Sequence, residues 1–364
     1  MNILTTIGIV IEQKNDIREG SMAEKKNGGK VDEHQEYSLL SQVAHMYYDL
    51  NMLQPEIAEK LYFSRSKVSR MLAQARNLGI VEIHVRRIVD RIPELEKKLK
   101  KTFGLKDAIV ITGFGEEPYT ESMQSLTDFA SLYISGLIRG NCKIGISNGR
   151  TINAVVKKLR KQNPCALEVV QLIGSASNTN IAEESRIMAE KIVSSFSGKA
   201  YYLNTPMCVD DEYVKEILMR EPSVKDVFDQ MKTCDMLLTG VGALPDRDNG
   251  IPEWFGNRLL KYRDELLEQG AVGSVCAQYY DVNGKLTDSR WNRTCLAMPL
   301  GEVQKNGMTI GIAAGEEKAR AILGALRGGI LNVVITNAAT AGEILDLQEK
   351  LNLKNESETL DLKN

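Results

Sequence analysis

Short apolar runs alternate with helical patterns from about residue 105 to residue 351, and this alternation limits the possible folds more than any other feature. The predicted strands are Ala108–Thr112, Lys143–Ser147, Val169–Ile173, Ala200–Leu203, Met236–Val241, Ala271–Tyr280, Met308–Ala313 and Asn332–Thr336. The predicted helices lie around Leu126–Ile138, Ile152–Leu159, Ala182–Ser195, Asp211–Lys232, Glu253–Leu267, Lys318–Leu326 and Ala341–Leu351. This order is typical of an α/β fold with a doubly wound, mainly parallel sheet, in which ligands bind at the carboxyl ends of the strands.

A different pattern precedes this domain, because residues 54–72 read as two short helices around a tight turn. An amphipathic helix over Tyr37–Leu50 comes before them. The apolar positions that recur at helical spacing are Leu40, Val43, Ala44 and Tyr47, then Ile57, Ala58 and Leu61, then Val68 and Leu72. Three helices with these inward faces form a helix-turn-helix unit, the arrangement that places its last helix in the major groove of DNA.

The outer face of the last helix carries hydroxyl, amide and cationic side chains. The candidate DNA contacts are Gln54, Ser64, Arg65, Ser66, Lys67, Ser69, Arg70 and Gln74, and Ser64 is also placed to cap the helix. Between Lys60 and Arg87 the basic residues outnumber the single acidic residue, Glu82, in a chain whose net charge is −2. A helical hairpin with a solvated charged face is the alternative, but this local charge favours nucleic acid.

The segment after this pair leads into the larger domain. Gly79 should stop the helix, and the alternating residues 80–85 predict a wing or an edge strand in which His84 faces solvent or DNA. Pro93 then opens a helix with Leu95, Leu99 and Phe103 on one stripe. This helix is predicted to be a linker that either contacts a second subunit or lies on the following domain.

The predicted domain order follows from these patterns. It comprises a disordered extension over residues 1–35, a winged-helix-like DNA-binding domain over 36–90, a linker helix over 91–104, a ligand-binding α/β domain over 105–353 and a polar tail over 354–364. The six cysteines lack metal-ligand or C-x-x-C spacing, so they indicate reduced core thiols of a cytoplasmic protein. No secretion signal, membrane anchor, metal site or cofactor is predicted.

The most informative turn of the larger domain follows the second predicted strand and precedes a helix. Its residues are Gly145, Ile146, Ser147, Asn148, Gly149, Arg150 and Thr151. Glycines let the backbone approach a ligand, and the helix start offers free N–H groups to a phosphate. The turn also matches the G-x-S-x-G elbow of hydrolases, which requires a later histidine. All histidines, His34, His45 and His84, precede Ser147, so this chemistry is excluded.

Three further places are candidates for the same ligand site. Gly240 and Gly242 follow another strand and could form the far wall, although this pattern often marks only a tight turn. Asp281, before Asn283 and Gly284, is either a turn residue or an acceptor for sugar hydroxyls. Lys318 is expected in the first turn of a helix, where an anionic ligand or simple solvation would account for a cation.

The paired motifs give the chain a family resemblance that extends from about Tyr37 to Leu351. They are Ile57–Leu61, Ser64–Leu72, Gly79–Ile83, Gly104–Ala108, Gly145–Thr151, Leu203–Pro206, Gly240–Gly242, Gly270–Gly273, Asp281 and Ala325–Gly329. The chain resembles SorC-type transcriptional regulators. It departs from their pattern at Asn148, Leu53 and Tyr62, where tryptophan, threonine and glycine respectively are common.

The resemblance implies a bacterial regulator of carbohydrate use, whose sugar-binding domain is similar to sugar-phosphate isomerases and deaminases. It implies operator DNA and a phosphorylated sugar or polyol as partners, with a homodimer or homotetramer as the assembly. The loop Gly145–Thr151 would hold the phosphate, and Gly240–Gly242, Asp281 and Lys318 would surround the sugar.

The prediction is therefore an effector-switched, DNA-binding transcriptional regulator without catalytic residues. A sugar-phosphate isomerase or deaminase is the second hypothesis. The DNA-binding unit and the lack of histidine after His84 argue against it, although an acid and lysine mechanism stays open. A third hypothesis is a protein-interaction module in which the helix pair is only structural.

Overall fold

A computed structural model of the 364-residue chain describes residues 29–81, 90–112, 119–159, 166–176, 185–196, 198–244 and 256–361. The chain divides into two compact units, residues 1–86 and residues 87–364. None of the helices within the described ranges is long and apolar enough to cross a membrane.

The first unit contains three helices, α1 (Gly29–Tyr48), α2 (Gln54–Lys60) and α3 (Arg65–Asn77). The residues that share its core are Leu40, Val43, Ala44, Met46, Ile57, Ala58, Val68, Met71, Leu72 and Ala75. The predicted inward positions are thus buried, except that Leu61 and Tyr47 are only partly buried against this core. The periodicity of apolar residues correctly predicted which faces of the three helices meet.

The boundaries of the first unit differ from the prediction at its start. Helix α1 begins at Gly29, so the predicted disordered extension is wrong for residues 29–35, and the predicted start at Tyr37 is late. The helix over residues 29–36 was not predicted, because these residues are mostly polar and have no apolar stripe of their own. Residues 1–28 lie outside the described ranges, as does most of the predicted wing.

The ends of α3 follow the predicted local chemistry. Ser64 caps the helix, its Oγ accepting a hydrogen bond from the Lys67 N–H at 3.2 Å. Gly79 ends it with φ +70°, which lets the Ile80 N–H donate to the Ala75 carbonyl at 2.9 Å. Both predictions for α3 are confirmed.

The second unit is built on a seven-stranded sheet in which every pair of neighbouring strands is parallel. Its strands are β1 (Asp107–Ile111), β2 (Cys142–Ile146), β3 (Leu167–Gln171), β4 (Lys199–Tyr201), β5 (Met236–Thr239), β9 (Thr309–Ile312) and β10 (Val333–Asn337). Their spatial order is β1-β10-β9-β5-β2-β3-β4. Three short strands, β6 (Gly242–Ala243), β7 (Gly273–Val275) and β8 (Gln278–Tyr280), form a separate antiparallel sheet.

Helices cover both faces of the large sheet. The helices described in this unit are α4 (Pro93–Phe103), α5 (Tyr119–Leu137), α6 (Arg150–Lys158), α7 (Ser185–Phe196), α8 (Glu212–Arg220), α9 (Pro222–Lys232), α10 (Gly256–Glu268), α11 (Arg290–Thr294), α12 (Leu300–Lys305), α13 (Ala319–Arg327) and α14 (Ala338–Asp361). Successive residues of β1 alternate between two cores, since Ala108 and Val110 join one and Ile109 and Ile111 the other. Strands buried on both faces explain why continuous apolar runs predicted them correctly.

Two predicted elements of the second unit are wrong. Ala271–Tyr280 is a hairpin of β7 and β8, whose turn residues Cys276 and Ala277 have φ +49° and +58°. Cysteine and alanine carry none of the usual asparagine or glycine signal for such a turn. The predicted helix Asp211–Lys232 is two helices, because Pro222 opens α9 and Glu221 before it is extended.

The predicted linker helix belongs to the second unit. Helix α4 buries Leu99 in one of the two sheet cores, with Leu95 and Phe103 partly buried against it. Glu96 is also buried, and its Oε1 accepts hydrogen bonds from Arg91 Nε at 2.8 Å and from the Val110 N–H at 3.0 Å. The hydrogen bond with Glu96 raises the pKa of Arg91 above its ordinary value. Together, the contacts of Glu96 hold the start of the unit against β1. At the other end α14 continues to Asp361, so residues 354–361 of the predicted polar tail extend this helix.

Candidate DNA-binding face and effector site

The face of α3 that points away from the core is polar. Four apolar side chains, Val68, Met71, Leu72 and Ala75, are buried, and Ser66 and Arg70 lie opposite them one turn apart. The predicted contacts that are exposed are Ser64, Arg65, Ser66, Lys67, Ser69, Arg70 and Gln74, whereas Gln54, at the start of α2, is half-buried. The geometry suits insertion of α3 into a DNA groove.

Gln74 and Lys67 also interact with side chains that lie outside α3. Gln74 Nε2 donates to Glu36 Oε1 at 2.9 Å, which ties α3 to α1. Lys67 Nζ lies 3.8 Å from the centroid of the Phe63 ring. Glu36 is a partner that the sequence pattern did not indicate, because it lies 38 residues away in the chain.

Most of the predicted effector residues of the larger unit collect at one edge of the sheet. Strands β9, β5 and β2 are parallel neighbours, so the segments after their carboxyl ends lie side by side. Those segments hold the Ser147–Thr151 loop, Gly240 and Gly242, and Lys318. The Ser147 N–H donates to the Leu238 carbonyl at 3.0 Å, which fixes the first of these loops against β5. The chain order reverses between β2 and β5, where ligands bind in such folds.

The loop after β2 leads directly into α6. Gly149 precedes the helix with φ +136°, a conformation that side chains rarely allow, and its carbonyl accepts from the Asn153 N–H at 3.0 Å. Arg150 is exposed and Thr151 half-buried in the first turn. The backbone N–H groups of this turn have no helical partners of their own and, with Arg150, suit an anion.

Gly145 does not belong to this loop. It lies inside β2, and a Cβ atom there would come within 2.6 Å of Cδ2 of Leu237 and 2.7 Å of Cδ2 of Leu172. Close packing of the strand between these two leucines accounts for the glycine. An effector contact by Gly145 stays a prediction without structural support.

Asn148 has a structural role that its sequence position did not reveal. The side chain is 7% exposed, and its Oδ1 accepts a hydrogen bond from the Ser185 N–H at 2.8 Å, in the first turn of α7. The Ser185 hydroxyl oxygen is buried, and no residue of the described ranges hydrogen-bonds to it. Asn148 therefore joins the starts of α6 and α7, and Ser185 is a candidate site residue that sequence reasoning missed.

The remaining predicted residues differ in their surroundings. Gly242 pairs with Ser274, whose Oγ would lie 2.8 Å from a Cβ atom at Gly242. Lys318 is half-buried at the end of a short 3-10 helix, Glu316–Lys318, and so precedes α13. The preceding Gly315 N–H donates to Thr340 Oγ1 at 2.9 Å, a contact between segments far apart in the sequence.

Asp281 serves its own turn. Its Oδ1 accepts hydrogen bonds from the Asn283 and Lys285 N–H groups, each at 2.9 Å, at the end of β8 in the small sheet. This is the turn role that the sequence left open beside a sugar contact. The sugar contact remains a prediction.

The Cys276 thiol, which contacts Thr239 at the end of β5, is not a nucleophile. Cys276 is fully buried in the β7–β8 turn, and burial raises the pKa of its thiol to about 12, against an opposing hydrogen bond with Thr239. The thiolate is therefore not populated at neutral pH. The described cysteines, Cys142, Cys208, Cys234, Cys276 and Cys295, are all buried, as predicted, and Cys165 lies outside the described ranges.

Comparisons with known proteins define the class. Residues 89–346 match the domain family described as "Putative sugar-binding domain", and the chain belongs to this family. The chain is 29% identical over 314 residues to the sorbitol operon regulator of Klebsiella pneumoniae, covering 84% of this chain and 97% of that protein. It is 26% identical to the deoxyribonucleoside regulator of Bacillus subtilis, covering 86% of this chain and 99% of that protein.

The structural comparison agrees with the sequence comparison. The crystal structure of the full-length sorbitol operon regulator SorC from Klebsiella pneumoniae matches with a TM-score of 0.66 at 27% identity, covering 85% of this chain and 98% of that chain. The chain is a sugar-responsive transcriptional regulator of the SorC type and not an enzyme. The isomerase or deaminase hypothesis is thereby set aside.

Proposed function

We propose that this regulator binds operator DNA of a carbohydrate-utilisation operon through α3 and is switched by a phosphorylated sugar or polyol. The principal DNA contacts would be made by four exposed residues of α3, which lie beside or opposite its buried face: Arg65, Ser66, Ser69 and Arg70. Lys67, Ser64, Gln54 and Gln74 would make supporting contacts. Cationic and hydroxyl side chains of this kind bind both phosphates and base edges.

The observation that carries the effector proposal is the Ser147–Thr151 loop at the reversal of strand order. Gly149 opens the start of α6 with a backbone that only glycine adopts easily, and the exposed Arg150 stands in its first turn. A phosphate there would accept hydrogen bonds from backbone N–H groups and a charge-assisted bond from the guanidinium. Gly240, Gly242, Lys318 and Asp281 are proposed to surround the sugar. We propose that the assembly is a homodimer or homotetramer that acts in the cytoplasm.

Arg150→Ala tests the phosphate site. We expect the affinity for the effector to fall about tenfold, in line with the about 1.5–3 kcal/mol of a charge-assisted hydrogen bond reduced by exposure. DNA affinity without effector should stay unchanged, because Arg150 is outside the DNA-binding unit. Isothermal titration with a panel of sugar phosphates measures the first quantity, and fluorescence anisotropy with labelled DNA measures the second.

Lys157→Ala is the matched control, since this cation lies in the last turn of the same helix, away from the proposed phosphate. Its effector affinity should equal that of the wild type. Equal effector affinities of Arg150→Ala and Lys157→Ala would refute the assignment of phosphate to this loop.

A further inference from the structure

Tyr62 occupies the turn between α2 and α3 in a conformation that disfavours a tyrosine. Its φ is +55°, which lies in the left-handed region. A residue with a Cβ atom is strained in this region, whereas glycine is not. The turn itself is an ordinary helix end, because the Phe63 N–H donates to the Ala58 carbonyl at 2.8 Å and the Tyr62 N–H to the Glu59 carbonyl at 3.3 Å. Glycine would form the same turn without the strain.

Packing of the side chain within the unit does not offset this backbone strain. The Tyr62 side chain is 95% exposed, the highest value among the large exposed apolar and aromatic residues of the described ranges. Phe63 and Leu61 on either side are partly buried against the core, so the neighbouring positions contribute to folding while Tyr62 does not. A ring that costs stability and buries almost nothing needs another explanation.

The position of Tyr62 points to DNA. It lies two residues before Ser64, the cap of α3, and therefore within about 7 Å along the chain of the helix end that carries the proposed contacts. The chain beside it and after it is cationic, since Lys60 and Arg65 flank it and residues 60–81 contain no acidic side chain, whereas Glu56 and Glu59 lie on α2 before it. This charge attracts a phosphate backbone, and tyrosine hydroxyls are among the groups that bind phosphate oxygens.

We infer that Tyr62 is a DNA-contacting residue, whose phenolic O–H donates a hydrogen bond to a backbone phosphate beside the groove that α3 enters. The inference rests on the proposed role of α3. The contact would set the register of α3 on the duplex without reading a base. Because the phenol is neutral, it would release no counterion from DNA and would leave the salt dependence of binding unchanged.

The test measures DNA affinity and stability on the same full-length variants. Fluorescence anisotropy uses the duplex from upstream of the protein's own gene across a range of salt concentrations, and urea unfolding monitors the helical signal. Tyr62→Phe should bind about three- to tenfold more weakly, with an unchanged slope of log affinity against log salt. Tyr62→Gly should bind at least as weakly and yet unfold at an equal or higher urea concentration, because the strain is relieved.

The opposite signs of the two effects separate a DNA contact from a structural role. Tyr37→Phe, which removes the hydroxyl of another exposed tyrosine on α1, is the matched control and should bind as the wild type does. Wild-type affinity of Tyr62→Phe would overturn the inference, and if such a variant also lost transcriptional control, the ring would be assigned to a protein partner. Weaker binding by Tyr62→Gly together with easier unfolding would also overturn it. Failure of the proposed role of α3 is distinguishable, since Arg70→Ala would then bind as the wild type does.

Discussion

Arg70→Ala should weaken specific DNA binding by about 1–3 kcal/mol, the range for loss of one good contact to a base. Arg70 is exposed on the side of α3 opposite to Val68, Met71 and Leu72, so the guanidinium is directed to the groove when the helix enters it. Its Nε donates to the Ser66 carbonyl at 3.5 Å, a long and therefore weak hydrogen bond that a contact with DNA would readily replace. Fluorescence anisotropy at fixed salt with the upstream duplex measures the change.

Two further variants sharpen this result. Arg70→Lys keeps the charge and loses the planar fork, so it should recover phosphate attraction but little base discrimination. Arg220→Ala removes an exposed arginine from α8 of the other unit and should leave the affinity unchanged. Binding by Arg70→Ala that equals binding by Arg220→Ala would show that Arg70 is only part of a solvated surface.

Trp291→Ala should lower the free energy of unfolding of the larger unit by about 3–5 kcal/mol, the usual cost of removing a large buried aromatic side chain. Trp291 is fully buried and packs edge-on with Tyr262 and Tyr279, each at 6.2 Å between ring centroids. Its Nε1 donates to the Ala277 carbonyl at 2.6 Å, which supports the β7–β8 turn and its left-handed residues.

Trp291→Phe separates packing from hydrogen bonding. Phenylalanine retains most of the ring volume but cannot donate to the Ala277 carbonyl. That carbonyl then keeps only the weak hydrogen bond from the Cys295 thiol, at 3.8 Å. We therefore expect the free energy of unfolding to fall by about 1–3 kcal/mol. Tyr213→Ala is the control, because this exposed aromatic should change stability by less than about 0.5 kcal/mol. Urea unfolding measures all three. Equal stabilities of Trp291→Phe and the wild type would mean that the hydrogen bond does not hold the turn.

The sequence predicted the large sheet and the three-helix core well for identifiable reasons. Strands of a parallel sheet covered on both faces are continuous apolar runs, as in Ile109–Ile111 and Met236–Leu238. The helices of the first unit have one buried face each, so Ile57 with Ala58 and Val68 with Leu72 appear at helical spacing. Local patterns of this kind depend on burial alone.

The features that the sequence did not predict depend on contacts between distant residues. The turn at Cys276 and Ala277 depends on the donor from Trp291, fourteen residues later. Asn148 is held by Ser185, 37 residues later, and Gly145 is explained only by Leu237 on β5 and Leu172 directly after β3. The candidate effector site also depends on distant contacts. Its loops were predicted from their glycines, but their side-by-side placement follows from the order of the strands in the sheet.

The most direct test of a sugar-phosphate switch on DNA binding is one anisotropy titration with the full-length protein and the duplex from upstream of its own gene. We predict specific binding relative to a scrambled duplex, and an affinity that changes at least tenfold with one phosphorylated sugar or polyol but not with its unphosphorylated form. The Arg150→Ala variant should bind the same DNA and lose this response. Equal binding to both duplexes at every salt concentration, or an affinity that no sugar phosphate changes, would contradict the account.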